Sequence, residues 1–533
     1  MADDSTFGVF GSYAVVDESG GSRSLPKRAR SAPTAAPSSR RPAPSTIRLE
    51  RGSAYGVAPE GCALLPGAAP SSKIGLLSVL PDELMLHVLS FLDAPSLCVV
   101  SATSHAAYAF SHAPDLWRAL AFTYARADGG TMGSWVVAPS WKSAVLARAG
   151  ASRMHTPLRA RGVYSDLLFK HFACADAEIK GAWAALDSLP RADAATLSTE
   201  SFIDTFERPS RPVVLTGAAA HWPALAEWTS PAAFCAAAVG TAGPSATPAL
   251  FHAGGTLVSL PDFFAYTAAV SSRDDRPLYL FERNFCELAP PLARGFSTPR
   301  FFEDDLFALL GEQRPDHTWV IGGARKSGST FHKDPNASCA WNALIFGLKA
   351  WVFYPPHVAP PGVVVSEDGA EVATPVSVME WYVDHFSAHS QRVKSGGPDA
   401  PLCGLQRPGD VVFVPAGWWH QVLNLEDSLA VTHNFVSPRS IAGALELARD
   451  DPAAIAGVPT SAQEGFYDAL VAALAGARPE VLAAARADER VREDALVAAR
   501  ARPANRWTAL TAGGADGGDD ARVTGFSFSF NAQ

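Results

Sequence analysis

The 533-residue chain is 48% hydrophobic and 18% charged, so it reads as globular, and it is longer than one core usually fills; two or more domains are expected. Its net charge of −9 argues against a protein that coats nucleic acid and suits a basic peptide or protein as partner. Seven cysteines without a CxxC pair leave no structural zinc pattern and favour reduced thiols inside the cell over a disulfide framework.

In chain order, residues 1–72 are rich in Ser, Pro, Ala and Arg and are expected to be disordered. Lys27, Arg28, Arg30, Arg40 and Arg41 form two basic clusters that read equally as a nuclear localisation signal or as a solvated linker. The start, MADDSTFGVF, lacks a signal peptide's basic and apolar regions, and no run approaches the roughly 18 apolar residues of a membrane span. The expectation is a soluble intracellular protein, nuclear with a cytoplasmic share.

Residues 73–125 read as a small all-α module. Pro81 suits the first turn of a helix, Asp82 and Glu83 suit the positive end of its dipole, and Leu84, Val88, Phe91 and Leu92 follow helical spacing along one apolar face. Asp93-Ala94-Pro95 ends this helix, a second runs through Leu97 and Val100, and Pro114-Asp115-Leu116-Trp117 opens a third. Residues 126–200 read as linker helices and loops. From residue 201 to 440 the texture changes to short strands between Gly and Pro turns, among them Pro212–Leu215 and Pro277–Phe281, which suits a β-barrel or jelly roll. Residues 441–510 are rich in helix formers, and 511–533 read as a flexible tail.

His332-Lys333-Asp334 lies in the strand-rich part. On extended backbone His332 and Asp334 point the same way and Lys333 the other, which places two metal ligands on one face. A third is His420, at the end of the apolar run that follows the turn Pro408-Gly409-Asp410. Two histidines and one carboxylate make the facial triad that holds non-haem Fe(II) and leaves positions for co-substrate and oxygen. By the same alternation His433 faces away, and Lys333 is a surface or structural group. Trp341, Trp351, Trp418 and Trp419 read as wall and core, and His317, His357, His385 and His389 as ordinary histidines.

Leu80-Pro81-Asp82-Glu83-Leu84, Leu89-Ser90-Phe91-Leu92 and Leu116-Trp117 resemble an F-box, whose family docks onto the adaptor subunit of a cullin-RING ubiquitin ligase. From Phe302-Glu303-Asp304-Asp305-Leu306-Phe307 through Asn342-Ala343-Leu344, and again from Gly409 to Phe435, the chain resembles the jumonji-C hydroxylases. The nearest branch is that of the bifunctional arginine demethylases and lysyl 5-hydroxylases. The resemblance implies an α+β multidomain fold: a double-stranded β-helix (cupin or jelly-roll) barrel, preceded by the F-box module and followed by C-terminal helices. It also implies His332, Asp334 and His420 as iron ligands, and Lys349 as the cation that meets the distal carboxylate of 2-oxoglutarate. Thr432, Asn342 and Tyr279 fall at further co-substrate positions, Asn434 lines the same pocket, and Ser329 stands where close relatives carry Thr.

The function implied is an Fe(II)- and 2-oxoglutarate-dependent dioxygenase. It would act on protein side chains, by hydroxylation or by N-demethylation of histone arginine or lysine. The competing expectation is an F-box substrate receptor whose barrel recognises a target without turning it over. Neither membrane attachment nor direct nucleic-acid binding is expected.

Overall fold

The computed structural model describes residues 57–62, 77, 79–127, 140–148, 158–239, 249–269, 274–366 and 372–501. The basic clusters near Lys27 and Arg40 and the tail 511–533 lie outside them. Among the described residues no helix is long and apolar enough to cross a membrane, and all seven cysteines are free.

The N-terminal module contains α1 (Asp82–Ser90), α2 (Ala94–Ser101), α3 (His105–Phe110) and α4 (Pro114–Ala127). Pro81 is the extended residue that precedes α1, with Asp82 and Glu83 in the first turn. Asp93 caps α2 by accepting from Ser96 N, and Ser104 caps α3 by accepting from Ala107 N. Helix α3 falls between the second and third predicted helices; six residues are too few for a periodic signal. The apolar row read from α1 is not its core face. Met85 and Leu89 are buried, whereas Leu84, Val88 and Phe91 are exposed.

The expected linker is also more than helix and loop. It holds α5 (Trp141–Arg148), β2 (Leu158–Tyr164), α6 (Asp166–Asp176) and β3 (Arg191–Asp193). β2 pairs in parallel with β1 (Val57–Gly61), inside the stretch expected to be disordered. The segment VAPEG, with its Pro and Gly, carries no strand signature; its partner supplies the ladder, and Glu60 Oε2 accepts from Gly162 N at 2.6 Å.

The barrel domain is built from β3, β4 (Val213–Thr216), β5 (Leu250–Ala253), β6 (Thr256–Ser259), β7 (Tyr279–Glu282), β8 (Thr318–Gly323), β9 (Gly328–His332), β10 (Cys339–Phe346) and β11 (Lys349–Tyr354). It continues through β12 (Val364–Val365), β13 (Val372–Ala373), β14 (Leu402–Gln406), β15 (Val411–Val414), β16 (Trp419–Asn424) and β17 (Ser428–Phe435). A nine-stranded sheet, β3-β4-β15-β10-β17-β8-β7-β5-β6, faces a four-stranded sheet, β14-β11-β16-β9; β12 and β13 form a separate hairpin.

Alternation along these strands separates outside from inside. Trp341, Ala343, Val411, Phe413, Leu429 and Val431 face outward into a core shared with Phe202, Trp222 and Phe302. On the smaller sheet Ala350, Val352, Tyr354, Trp419 and Leu423 face outward against Trp381 and Tyr382. The opposite parity lines the lumen. Its apolar members form two clusters, one around Trp351, Phe353 and Val412 and one of Ile321, Leu344 and Ala430. Asn342, Lys349, His420, Asn424 and Thr432 share that parity.

The C-terminal helices Ile441–Asp450, Phe466–Ala477 and Pro479–Ala501 pack on the barrel domain through Leu306, Phe307 and Val436. The N-terminal module and α5 share a core with it too: Trp117, Phe122 and Trp141 belong to one apolar cluster with Phe234, Phe263 and Tyr266.

Candidate metal and co-substrate site

β9 ends at His332, and Pro335 follows Asp334. A residue before proline is pushed to extended backbone, and Asp334 has φ −63° and ψ 145°. Alternation therefore continues one step past the strand and keeps Asp334 on the face of His332. Asn336, at φ 58°, turns the chain away and is pinned there by two bonds to Ala456, Nδ2 to O at 3.0 Å and N to Oδ1 at 2.9 Å. β16 lies antiparallel to β9 in a register that sets His420 opposite His332.

One ligand atom from each of His332, Asp334 and His420 lies within 4.8 Å of the others. Among the described residues this is the sole cluster of His, Cys, Asp and Glu suited to a metal ion. The Nδ1 of His332 contacts Thr330 O at 2.7 Å and that of His420 contacts Trp418 O at 3.1 Å. A carbonyl only accepts, so each Nδ1 carries the proton and each Nε2 keeps its lone pair. Burial, with the neighbouring His420, lowers His332 to about 3, and burial lowers His420 to about 4, so both rings are neutral. Burial raises Asp334, offset in part by His332, and its Oδ2 has no hydrogen-bond partner.

Lys349 opens β11 between Gln406 of β14 and Asn424 of β16. It is fully buried, its Nζ has no hydrogen-bond partner, and burial alone lowers it to about 7. Asn342 Oδ1 is likewise buried and unpaired. Thr432 stands directly opposite Asn342, with its hydroxyl donated to Trp341 O at 3.0 Å. Tyr279 packs beside Ile321, Leu344 and Ala430, and burial pushes its phenol up. Asn434 Nδ2 donates to Ser338 Oγ at 2.9 Å. Ser329 pairs with Val422 across a bulge, which turns it to the lumen face that Val422 occupies.

Residues set aside in the sequence lie elsewhere. His433 sits on the outer face, against Thr318, Arg314 and Asp305 and stacked on Trp341. Lys333 is buried rather than at the surface; its Nζ donates to Pro356 O and lies 4.7 Å from the Trp419 ring, a structural place. His389 is buried between Tyr354 and Cys403, and His357 pairs with Asp399. Trp351 stacks near His420 at 6.1 Å and is held by Gln406 through a 2.8 Å bond. Gln406 and Asn424 were not singled out in the sequence, although Asn424 lies four residues from His420 on one strand and so shares its face.

The chemistry of this set fits iron and a dicarboxylic keto acid. Two neutral imidazoles and a carboxylate converge, and the same lumen holds a buried amine and an amide oxygen that lack partners.

Comparison with known proteins agrees. Residues 199–440 match the cupin-like domain family and residues 77–123 the F-box-like family. The chain is 37% identical over 431 residues to the arginine-specific demethylase JMJ22 of Arabidopsis thaliana, covering 80% of this chain and 82% of that one. It is 31% identical over 378 residues to the lysine-specific demethylase JMJ21 of the same plant, covering 68% of this chain and 37% of the relative. The bifunctional arginine demethylase and lysyl-hydroxylase psr-1 of Caenorhabditis elegans is 35% identical over 265 residues, 48% of this chain and 63% of its own. Several animal proteins matched over 26 to 30% of this chain are named 2-oxoglutarate and iron-dependent oxygenases.

Proposed function

The chain belongs to the jumonji-C oxygenases of the cupin-like family, with an F-box ahead of the barrel, and from that membership we propose that it oxidises methylated arginine or lysine side chains of a basic protein such as a histone. It is a 2-oxoglutarate- and iron-dependent oxygenase. The single observation that carries the site assignment is the pairing of the His332, Asp334 and His420 cluster with a buried, unpartnered Lys349 in one lumen.

His332, Asp334 and His420 would hold iron on one side and leave the other open. Lys349 would take the distal carboxylate of 2-oxoglutarate, with Asn342, Thr432 and Tyr279 giving hydrogen-bonding groups around it and Asn434 and Ser329 lining the same space. When bound, iron with 2-oxoglutarate and oxygen supplies the oxidation of a substrate C–H, with release of succinate and CO2. The chain's part is to fix the imidazole tautomers through Thr330 and Trp418 and to exclude water with Trp351 and Phe353. An oxidised N-methyl group collapses to formaldehyde, giving demethylation; an oxidised side-chain carbon keeps its hydroxyl.

The test is mass spectrometry of methylated and unmethylated histone peptides after incubation with the protein, iron, ascorbate and 2-oxoglutarate. Loss of one methylene is expected on methylated peptides. Absence of both that loss and a gain of one oxygen on every peptide, together with no succinate production, would refute the reading.

The F-box supports a second role beside this one, docking to a ubiquitin-ligase adaptor through the exposed residues Leu84 and Val88 of α1 and Phe91 just after it. A barrel that only recognises a target would not need the unpaired amine of Lys349. The basic clusters at Lys27–Arg30 and Arg40–Arg41 support nuclear residence, which a fluorescent fusion with those residues changed to Ala would test.

A further inference from the structure

Lys349 is flanked in its sheet by two amides, Gln406 on β14 and Asn424 on β16, each directly opposite it. Gln406 is fully used: Oε1 accepts from Trp351 Nε1 at 2.8 Å, and Nε2 donates to Asn342 O at 2.7 Å and Asp410 O at 3.1 Å. Asn424 is not. It is completely buried, and its Nδ2 donates to Ser327 Oγ at 3.0 Å while its Oδ1 has no partner. Ser327 settles which end of the amide is which, because its hydroxyl proton already goes to Ala324 O at 2.6 Å and its oxygen can only accept. The same turn grips the backbone of Asn424, through Lys326 N to Asn424 O and Asn424 N to Ser327 O. The amide is thus held from behind.

We infer that Asn424 is a positioning residue for the co-substrate: neither Lys349 Nζ nor Asn424 Oδ1 has a partner in the free protein, and when 2-oxoglutarate binds, Oδ1 takes one N–H of the Lys349 ammonium so that the remaining N–H groups face the distal carboxylate. This rests on the reading of the lumen given above. A buried ammonium needs acceptors for three N–H groups, and a carboxylate approaching from the lumen satisfies only part of them. Lys349 Nζ has no hydrogen-bond partner; the titratable groups that share its lumen are Tyr279 from β7, His332 at the end of β9 with Asp334 just after it, and His420 from β16. The chemistry also explains an amide at 424 rather than an acid. A carboxylate there would neutralise Lys349 and compete with the incoming dicarboxylate, whereas an amide oxygen orients the cation and leaves its charge available.

The test is a double-mutant cycle on the full chain, read by calorimetric titration of 2-oxoglutarate and of 2-oxobutyrate, which lacks the distal carboxylate, into manganese-loaded protein without oxygen. Asn424→Leu should weaken 2-oxoglutarate binding roughly tenfold or more, leave 2-oxobutyrate unchanged, and add nothing in a Lys349→Met background. In steady state it should raise KM far more than it lowers kcat. Asn424→Asp, closer in shape, should also weaken 2-oxoglutarate and spare 2-oxobutyrate, which keeps the test decisive if the leucine variant folds poorly. Equal weakening of both keto acids, or an undiminished effect in the Lys349→Met background, would overturn the inference and leave Asn424 a structural residue. Unchanged 2-oxoglutarate binding in Asn424→Leu beside weakened binding in Lys349→Met overturns this inference alone; unchanged binding in Lys349→Met overturns the co-substrate reading and this inference with it.

Discussion

Two buried polar regions of this molecule are built from similar residues and end in opposite states. The seam between the F-box module and the barrel is densely hydrogen-bonded. Asp274 Oδ2 accepts from Trp141 Nε1 at 3.0 Å and from Tyr266 OH at 2.8 Å, His171 Nδ1 meets Asp275 Oδ2 at 2.6 Å, Arg276 pairs with Asp115, and Arg118 donates to Arg276 O at 2.7 Å. In the lumen, by contrast, Asp334 Oδ2, Asn342 Oδ1, Lys349 Nζ and Asn424 Oδ1 lack partners. A buried polar group without a partner costs about 1–3 kcal/mol. The seam's polar groups therefore contribute to the fold, whereas those of the lumen weaken it.

This contrast predicts effects of opposite sign. The largest belongs to the ligand set. His332→Ala or Asp334→Ala should abolish iron retention and succinate production while the melting temperature of the metal-free protein stays within a few degrees of the parent, because the barrel has its own core. Metal analysis and a thermal scan of the same samples check both halves, and unchanged iron with unchanged turnover would break the assignment. Next in size is Lys349→Met. Loss of a buried charge partner weakens 2-oxoglutarate binding by about 3–5 kcal/mol, while removal of an unpaired buried amine should stabilise the free protein by about 1–3 kcal/mol. A variant that binds poorly and melts higher is the expected result; one that melts lower would mean that Lys349 is already satisfied.

Substitutions at the seam should do the reverse, lowering stability and sparing co-substrate affinity. Burial, with Asp275 adding to it, pushes Asp274 up to about 6, against the pull of Arg118 and the hydrogen bond from Tyr266. An acid whose folded pKa exceeds its unfolded value of about 4 binds more protons when folded, so its contribution to stability falls as pH rises from about 4 to about 6. Asp274→Asn cannot titrate. Beyond a constant loss of about 1–3 kcal/mol from a disturbed hydrogen bond, its melting temperature should gain on the parent's across that window. A difference that stays flat from pH 4 to 6.5 would show that Asp274 is not held protonated in the seam. His171 works in the same direction at higher pH: burial pulls it down, but Asp275 outweighs burial and raises it, so its contribution is present below its ordinary value and is lost as pH rises through the folded one.

The difference between the two regions also marks what the sequence could disclose. The relation of His332 to Asp334 follows from a period of two and a proline, both local, and His420 announces itself by the turn and apolar run before it. Lys349, Thr432, Asn342 and Tyr279 came from family resemblance, since nothing in their spacing says which strands will be neighbours. Asn424 stayed hidden because its meaning depends on standing opposite Lys349 across a ladder. The seam was invisible for the same reason: Asp115, His171 and Asp275 are far apart in the chain, and no local pattern joins them. The strand β1, read as disordered, exists because β2 lies beside it.

Helix α1 shows the converse of the lumen, with apolar groups left unpaired on the outside. Periodicity revealed an apolar helix and misjudged which side is covered: Met85 and Leu89 are buried at 4% exposure each, while Phe91 is 76% exposed and Leu84 and Val88 close to half. If this row is the adaptor's landing surface, Val88→Glu with Phe91→Ser should remove capture of purified ligase adaptor and change stability by no more than about 0.5 kcal/mol, because neither side chain belongs to the core. Iron content and 2-oxoglutarate turnover should be untouched, which makes this the smallest effect on the enzyme itself. The experiment needs the full chain. Trp117, Phe122 and Trp141 pack into the same core as Phe263 and Tyr266, so residues 73–125 alone would lose much of what buries them. Leu89→Glu serves as the contrast, since a charge at a buried position should lower the melting temperature and the adaptor signal together. Adaptor binding that survives the surface pair but is lost with the seam variants would move the docking surface away from α1; an adaptor that ignores the parent chain altogether would leave the F-box as a brace for the barrel.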